Sequence, residues 1–113
     1  NPALDKSLWR LLIQNLGVAY DRTGNLARSK ATLDYGLSQD PVNPFFHYDL
    51  ARAYARMNNR DKAMQSLHEA FLHFRRHHKS DPIPDPRQDV SFGRLMLDPA
   101  FRSLTESLMH PAI

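Results

Sequence analysis

Apolar residues recur every three or four positions along most of the chain. Between residues 5 and 23 they are Leu8, Trp9, Leu12, Ile13, Leu16, Ala19 and Tyr20. This spacing places apolar side chains on one side of a helix, and the same pattern predicts helices over residues 26–38, 44–57 and 60–77. No stretch shows the alternation typical of a β-strand, so the pattern predicts an all-α protein.

Polar residues, glycine and proline mark the predicted helix ends. Asp5 is placed to cap the first helix, and Gly24 suits the left-handed backbone that follows a helix. Asn43 followed by Pro44 predicts a cap and a first-turn proline at the start of the third helix. The connections between the first four helices are therefore predicted to be short.

The helical pattern stops at residues 80–86, where three prolines occur within five positions. Proline lacks the amide donor that a helix needs and disfavours helix in the residue before it, so this stretch is predicted to be an extended connector. Two further helices are predicted over residues 86–97 and 99–109, begun by Asp85-Pro86 and Asp98-Pro99. The chain therefore divides into residues 1–79, 80–86 and 87–113.

Part of the chain repeats itself. Gly17-Val18-Ala19-Tyr20 recurs as Ala51-Arg52-Ala53-Tyr54, an offset of 34 residues, and Leu33 recurs as Leu67. A period near 34 with small and large residues at fixed places is typical of stacked helix–turn–helix units. Small residues allow helices to approach closely, and the large residues fill the space beside them.

With this pattern the chain resembles the tetratricopeptide repeat (TPR) family over about residues 10–77. The matching positions of the first unit are Ile13, Leu16, Gly17, Tyr20, Gly24, Ser29, Leu33, Gly36 and Pro41. Those of the second unit are His47, Leu50, Ala51, Tyr54, Asn58, Ala63, Leu67 and Ala70. His47 departs from the bulky apolar residue of the family, and Arg75 stands in the place of its terminal proline.

The resemblance implies a right-handed superhelical stack of antiparallel helix pairs. Residues 1–79 would form two full repeats with an N-terminal helix extension, and residues 87–113 a degenerate repeat or capping helices. A cap is expected because the end repeat of a solenoid otherwise exposes its apolar face. Apolar residues such as Phe92, Phe101 and Leu108 are candidates to cover that face.

The resemblance also implies a concave groove lined by the first helix of each unit. The family's groove positions fall on Gln14, Val18, Asp21 and Arg22 in the first unit and on Phe45, Tyr48, Arg52 and Arg56 in the second. Aromatic residues beside arginines are typical of binding hot spots, and arginine pairs well with carboxylates. We therefore expect a protein–protein interaction domain, an adaptor or scaffold, that binds an acidic peptide; contact with further repeats or with solvent alone is the alternative.

One subclass of the family is disfavoured. Members that grip the C-terminal carboxylate of chaperones use basic and amide side chains where this chain has Gln14, Val18 and Asp49. An aspartate in such a clamp repels its ligand, and no full third unit completes the clamp.

The charge of the chain is uneven. Residues 52–79 carry seven Lys or Arg against Asp61 and Glu69, an excess of 7 − 2 = 5 positive charges. This excess suggests an acidic partner, or simply a solvated helix face. Nucleic-acid binding is disfavoured, because the basic stretch from Arg75 to Lys79 has no accompanying motif and such binding usually uses several phosphate contacts.

Composition argues against several kinds of chemistry. Cysteine is absent, which excludes disulfides, cysteine–zinc sites and thiol nucleophiles in this segment. His73 and His77 lie four residues apart on the fourth helix, with His78 adjacent, but a zinc site needs three or four ligands held together, so a surface cluster is favoured. No phosphate-binding loop or nucleophile elbow occurs. We therefore expect no enzyme activity, cofactor or metal.

Self-association is the alternative function, with Trp9, Leu12 and the exposed side of the first helix as the interface. No apolar run approaches the roughly 20 residues that span a bilayer, and no leader segment is recognised. We expect a cytoplasmic location, and the start at Asn1 rather than Met suggests a piece of a longer or processed protein.

Overall fold

The structure is a computed structural model of the 113-residue chain and describes residues 2–77 and 82–110. Its α-helices are α1 (Pro2–Arg22), α2 (Leu26–Gln39), α3 (Pro44–Arg56), α4 (Arg60–His77) and α5 (Pro99–Met109). One-turn 3-10 helices lie at Pro86–Gln88, Val90–Phe92 and Leu95–Leu97. No β-strand occurs in these two described ranges, and the predicted all-α class is confirmed. Residues 80 and 81 of the predicted connector lie outside the description.

Gly24 and Asn43 end and begin helices as the sequence predicts. Gly24 has a φ of 80° and lies in the left-handed region, and the Asn43 side chain accepts hydrogen bonds from the amides of Phe45 and Phe46. The expected cap at Asp5 is wrong, because α1 begins at Pro2 and Asp5 lies in its first turn. An acid there is still favourably placed, since the first turn of a helix carries partial positive charge.

The helix predicted over residues 86–97 is also wrong, since three separate 3-10 turns occupy this stretch. Asp85 and Asp89 both have extended backbone, and their carboxylates accept hydrogen bonds from the amides of Arg87 and Ser91. Aspartate side chains that bind nearby backbone amides compete with continuous helix. A new 3-10 turn therefore begins after Asp85 and after Asp89, and Asp98 caps α5 in the same way.

The helices pack in chain order: α1 against α2, α2 against α3, and α3 against α4, while α5 contacts α4. The predicted small positions lie at the contacts. A Cβ atom on Gly36 would come within 2.9 Å of Ile13 and of the Phe46 ring, and one on Gly17 within 2.9 Å of Leu33. The buried core continues to the C-terminal part through Phe92, Phe101 and Leu108, the residues expected to cover the end of the stack.

Equivalent positions of α1 and α3 differ in burial. Phe46 and Leu50 in α3 are buried, whereas Leu12 and Leu16, 34 residues earlier, are 63% and 40% exposed. The reason is that α2 packs on α3, whereas no described element covers this side of α1. We call this uncovered surface the leucine face; it consists of Leu8, Leu11, Leu12 and Leu16.

Trp9, expected at a self-association interface, lies outside the leucine face. Its ring packs edge-on against Phe46 at 6.1 Å and Tyr35 at 6.0 Å between ring centroids, and it lies partly buried against the core. Trp9 therefore has a role in folding. Among the helices of the described ranges, none is both long and apolar enough to cross a membrane.

Candidate binding groove

The groove residues predicted on α1 form an open surface. Gln14 and Val18 are half-buried and Arg22 is exposed, and the three lie four residues apart along one side of the helix. Together with Asn15, Ala19 and Thr23 they line a shallow depression. Asp21 differs from them, because it is only 4% exposed.

The groove residues predicted on α3 are largely covered. Tyr48 is 2% exposed, Phe45 and Arg52 are half-buried, and Arg56 is exposed. The Tyr48 hydroxyl donates a hydrogen bond to Asp89 Oδ2 at 2.8 Å. Burial, followed by the neighbouring Asp89 charge, raises the pKa of Tyr48, so the phenol stays protonated and remains a donor.

The cover is residues 85–92 of the chain itself, here called the crossing segment. Arg52 Nε lies 3.3 Å from Asp89 Oδ2 and donates to Ser91 Oγ at 3.3 Å. Phe92 is fully buried, with its ring edge-on to Tyr48 at 5.8 Å. The chain therefore fills the α3 half of its own predicted groove and leaves the α1 half open.

Two buried carboxyl groups lie beneath this contact. Asp21 Oδ2 accepts a hydrogen bond from Arg56 Nη1 at 3.0 Å, and Asp49 Oδ1 lies 3.6 Å from Arg52 Nη1. Of their remaining oxygens, Asp21 Oδ1 and Asp49 Oδ2 are sealed from solvent and have no hydrogen-bond partner among the described residues.

The environment of Asp49 favours its protonated form. Burial raises the pKa of Asp49 to about 7; Arg52 opposes this rise, and the charges of Asp21 and Asp89 add to it. Desolvation and nearby like charges both disfavour an ionised carboxyl group. The Asp49 carboxyl therefore changes its charge near neutral pH.

A second open depression lies beside the crossing segment. It is lined by Ala55, Arg56, Asn58, Val90, Ser91 and Arg94. Val90 is 92% exposed, and Arg94 Nη1 donates to Asn58 Oδ1 at 3.3 Å. No ion pair within the described ranges includes Arg94, so its charge faces the depression without a carboxylate.

The sequence prediction missed Asn58, Val90, Ser91 and Arg94 as members of this surface. The positions of Val90, Ser91 and Arg94 depend on the path of residues 86–97, which the apolar pattern predicted to be a helix. These turns have a recognisable sequence signal, an aspartate at positions 85 and 89. Each aspartate accepts a hydrogen bond from the backbone amide two residues later.

The histidine cluster is partly described. His47 and His73 stack with ring centroids 5.3 Å apart, and His73 Nε2 lies 3.3 Å from Glu69 Oε2. The part of the chain covered by the description contains no group of three His, Cys, Asp or Glu residues that could hold a metal ion. The His77 side chain and His78 lie outside it.

Comparisons with protein families, curated proteins and solved structures found no match to this chain. The resemblance to the TPR family therefore rests on the residues of the chain alone.

Proposed function

We propose that the chain is a TPR-like protein–protein interaction domain, a short right-handed stack of two helix pairs with a C-terminal cap. The 34-residue repeat supports this proposal because it falls on packing positions. Gly17 meets Leu33 closely, and both Ala51 and Leu67, their counterparts in the second unit, are fully buried. The role that we propose is binding, as an adaptor or scaffold, rather than catalysis.

We propose that the ligand is an acidic peptide that lies in the groove. The observation that carries this proposal is the contact of Tyr48 and Arg52 with the Asp89 carboxylate, since two predicted groove residues there bind the carboxylate of another segment of the chain. In the open part, Arg22 and Arg94 offer guanidinium groups, and arginine binds carboxylates with two parallel hydrogen bonds.

Reversing the charge of the open groove, with Arg22→Glu and Arg94→Glu together, is expected to weaken the binding of selected peptides. The probe is a displayed library of random peptides selected on the unmodified domain, and the selected peptides are expected to be rich in Asp and Glu. Their Kd, measured by fluorescence anisotropy, should rise about tenfold or more, because a single charge-assisted hydrogen bond is worth about 1.5 kcal/mol.

The matched control is Arg76→Glu with Arg102→Glu. This pair makes the same change in net charge at exposed positions of α4 and α5, which do not line either depression. The control should retain binding. Selected peptides without acidic residues, or equal weakening by both double variants, would contradict the acidic-groove proposal.

A second candidate function is self-association through the leucine face. Four leucines exposed by 40–63% lie on one side of α1, and contiguous exposed apolar surface of this kind marks interaction sites. We propose a second copy as the occupant, because closed two-fold dimers are the commonest assemblies of soluble proteins.

Leu12→Glu is expected to convert such a dimer to a monomer in sedimentation velocity, since pairing would bury an unpaired carboxylate. Leu97→Glu is the matched control, because Leu97 is 78% exposed and lies outside the leucine face; it should leave the dimer intact. Circular dichroism checks that both variants remain folded. A monomeric unmodified protein at every concentration tested would refute self-association.

A further inference from the structure

The crossing segment is held on α3 as a peptide ligand is held in a groove. Its contacts with α3 come from an acidic side chain, a hydroxyl and an aromatic ring: Asp89, Ser91 and Phe92. Asp89 has extended backbone, with φ −87° and ψ 122°. The acid and the aromatic ring are three residues apart, and both contact Tyr48.

The two halves of the groove differ in whether another segment of the chain occupies them. Tyr48 and Arg52 hold the crossing segment, whereas Gln14 and Val18, their counterparts 34 residues earlier on α1, remain partly open to solvent. Tyr48 and Arg52, here called the carboxylate-binding pair, are therefore the groove residues that already hold an acidic side chain of the crossing segment.

The occupied site is electrostatically crowded. The carboxyls of Asp21, Asp49 and Asp89 share two nearby guanidinium groups, those of Arg52 and Arg56. Arg52 divides its donors between the Asp89 carboxylate, the Ser91 hydroxyl and the Asp49 carboxyl. Arg52 is therefore shared between the crossing segment and the buried Asp49 carboxyl and does not serve Asp89 alone.

Building on the proposed function, we propose that the crossing segment is an internal ligand of the groove. The partner peptide presents the same two groups, an acidic side chain and an aromatic ring three residues later, and it takes the carboxylate-binding pair by displacing residues 85–92. The Phe92 ring also packs on Phe101 at 5.5 Å, so displacement opens the contact between the crossing segment and α5.

Internal occupancy lowers the affinity for a partner. A tethered segment acts at an effective concentration on the order of millimolar, and the apparent affinity falls by the fraction of molecules whose groove is open. Weakening the internal contact should therefore strengthen binding of a free peptide with the same groups.

The test uses a labelled synthetic peptide with the sequence of residues 84–94 as the probe. Asp89→Asn in the protein removes the internal carboxylate, and this variant is expected to bind the probe at least about tenfold more tightly than the unmodified chain does. Binding should be lost when the probe carries Asn in place of its second aspartate, Asp89, or when Arg52→Gln is added to the protein. Asp61→Asn, at a site 84% exposed on α4, removes one negative charge elsewhere and should change nothing.

A scrambled probe of the same composition separates recognition from simple charge attraction. Equal binding of the ordered and scrambled probes, or equal affinity of the Asp89→Asn variant and the unmodified chain, would overturn the internal-ligand proposal. Hydrogen exchange gives a second measurement that needs no variant: a peptide selected on the unmodified domain should accelerate amide exchange in residues 85–92, and unchanged exchange there overturns the proposal.

The two proposals fail in distinguishable ways. If the Arg22 and Arg94 double variant loses the selected peptides while Asp89→Asn has no effect, the groove binds peptides and the crossing segment is only a structural cover. If the double variant still binds while Asp89→Asn strengthens binding of the ordered probe, the open half is not the acidic-peptide site, although the internal ligand stands.

Discussion

Asp49→Asn is expected to raise the free energy of unfolding by a few kcal/mol at pH 8 and to change it little near pH 4. Asp49 is 9% exposed, and burial raises the pKa of Asp49 to about 7, whereas an aspartate in an unfolded chain titrates near 3.9. Between these values the folded protein binds the proton and the unfolded chain has released it. Stability therefore falls as pH rises from about 4 to 7, and asparagine removes this loss.

Urea denaturation of both proteins between pH 4 and pH 8 measures the effect. The difference between the two proteins at each pH isolates Asp49, because His47, whose pKa is lowered by burial, contributes equally to both. Asp61→Asn is the control and should stay within about 0.5 kcal/mol of the unmodified chain throughout, as exposed substitutions usually do. Parallel pH profiles for Asp49→Asn and the unmodified chain would show that Asp49 is ionised in the folded protein.

Gly36→Val is expected to destabilise the domain by about 3 kcal/mol or more, at the upper end of overpacking costs. Glycine inside a helix normally costs about 1 kcal/mol relative to alanine, so a side chain at position 36 gains helix propensity. Here even the Cβ atom would lie 2.9 Å from Ile13 Cγ2 and from the Phe46 ring. Both neighbours are buried, so a larger side chain drives α2 away from α1 and α3.

Thermal unfolding followed by circular dichroism measures this loss. Each kcal/mol shifts the Tm of a domain of this size by about 4–8 °C, so the Tm of Gly36→Val should fall by more than about 10 °C. Ala31→Val places the same β-branched residue at an exposed position of α2 and should have a much smaller effect. Similar Tm values for the two variants would refute the close contact at Gly36.

The sequence was sufficient to place the four long helices, because their ends carry strong local signals. Asn43 with Pro44, and Gly24 after α1, restrict the backbone without help from the rest of the fold. The helix predicted over residues 86–97 is wrong because the local signals there oppose the apolar pattern. Its apolar spacing suits a helix, but Asp85 and Asp89 bind the amides that a helix would use.

The candidate site was only partly predictable. The resemblance to the TPR family implied that Tyr48 and Arg52 are groove positions, and their spacing of four residues places them in one row of α3. The contact from Tyr48 to Asp89 joins residues 41 positions apart, and it depends on where three short turns carry the chain. Burial of Tyr48 follows from that path, so Tyr48→Ala, which the sequence alone suggests as a surface variant, is expected to lose packing against Phe92 and to destabilise the fold.

The two ends of the helix stack differ in kind. Phe92, Phe101 and Leu108 close the C-terminal end, while the leucine face leaves the α1 end uncovered. Pairing through that face would bury the leucine faces of both copies. The ends that remain at the surface of the dimer would be the ones already covered by each copy's own C-terminal residues. An assembly made in this way stops at two copies and cannot lengthen into a filament, as a head-to-tail stack of open-ended units does.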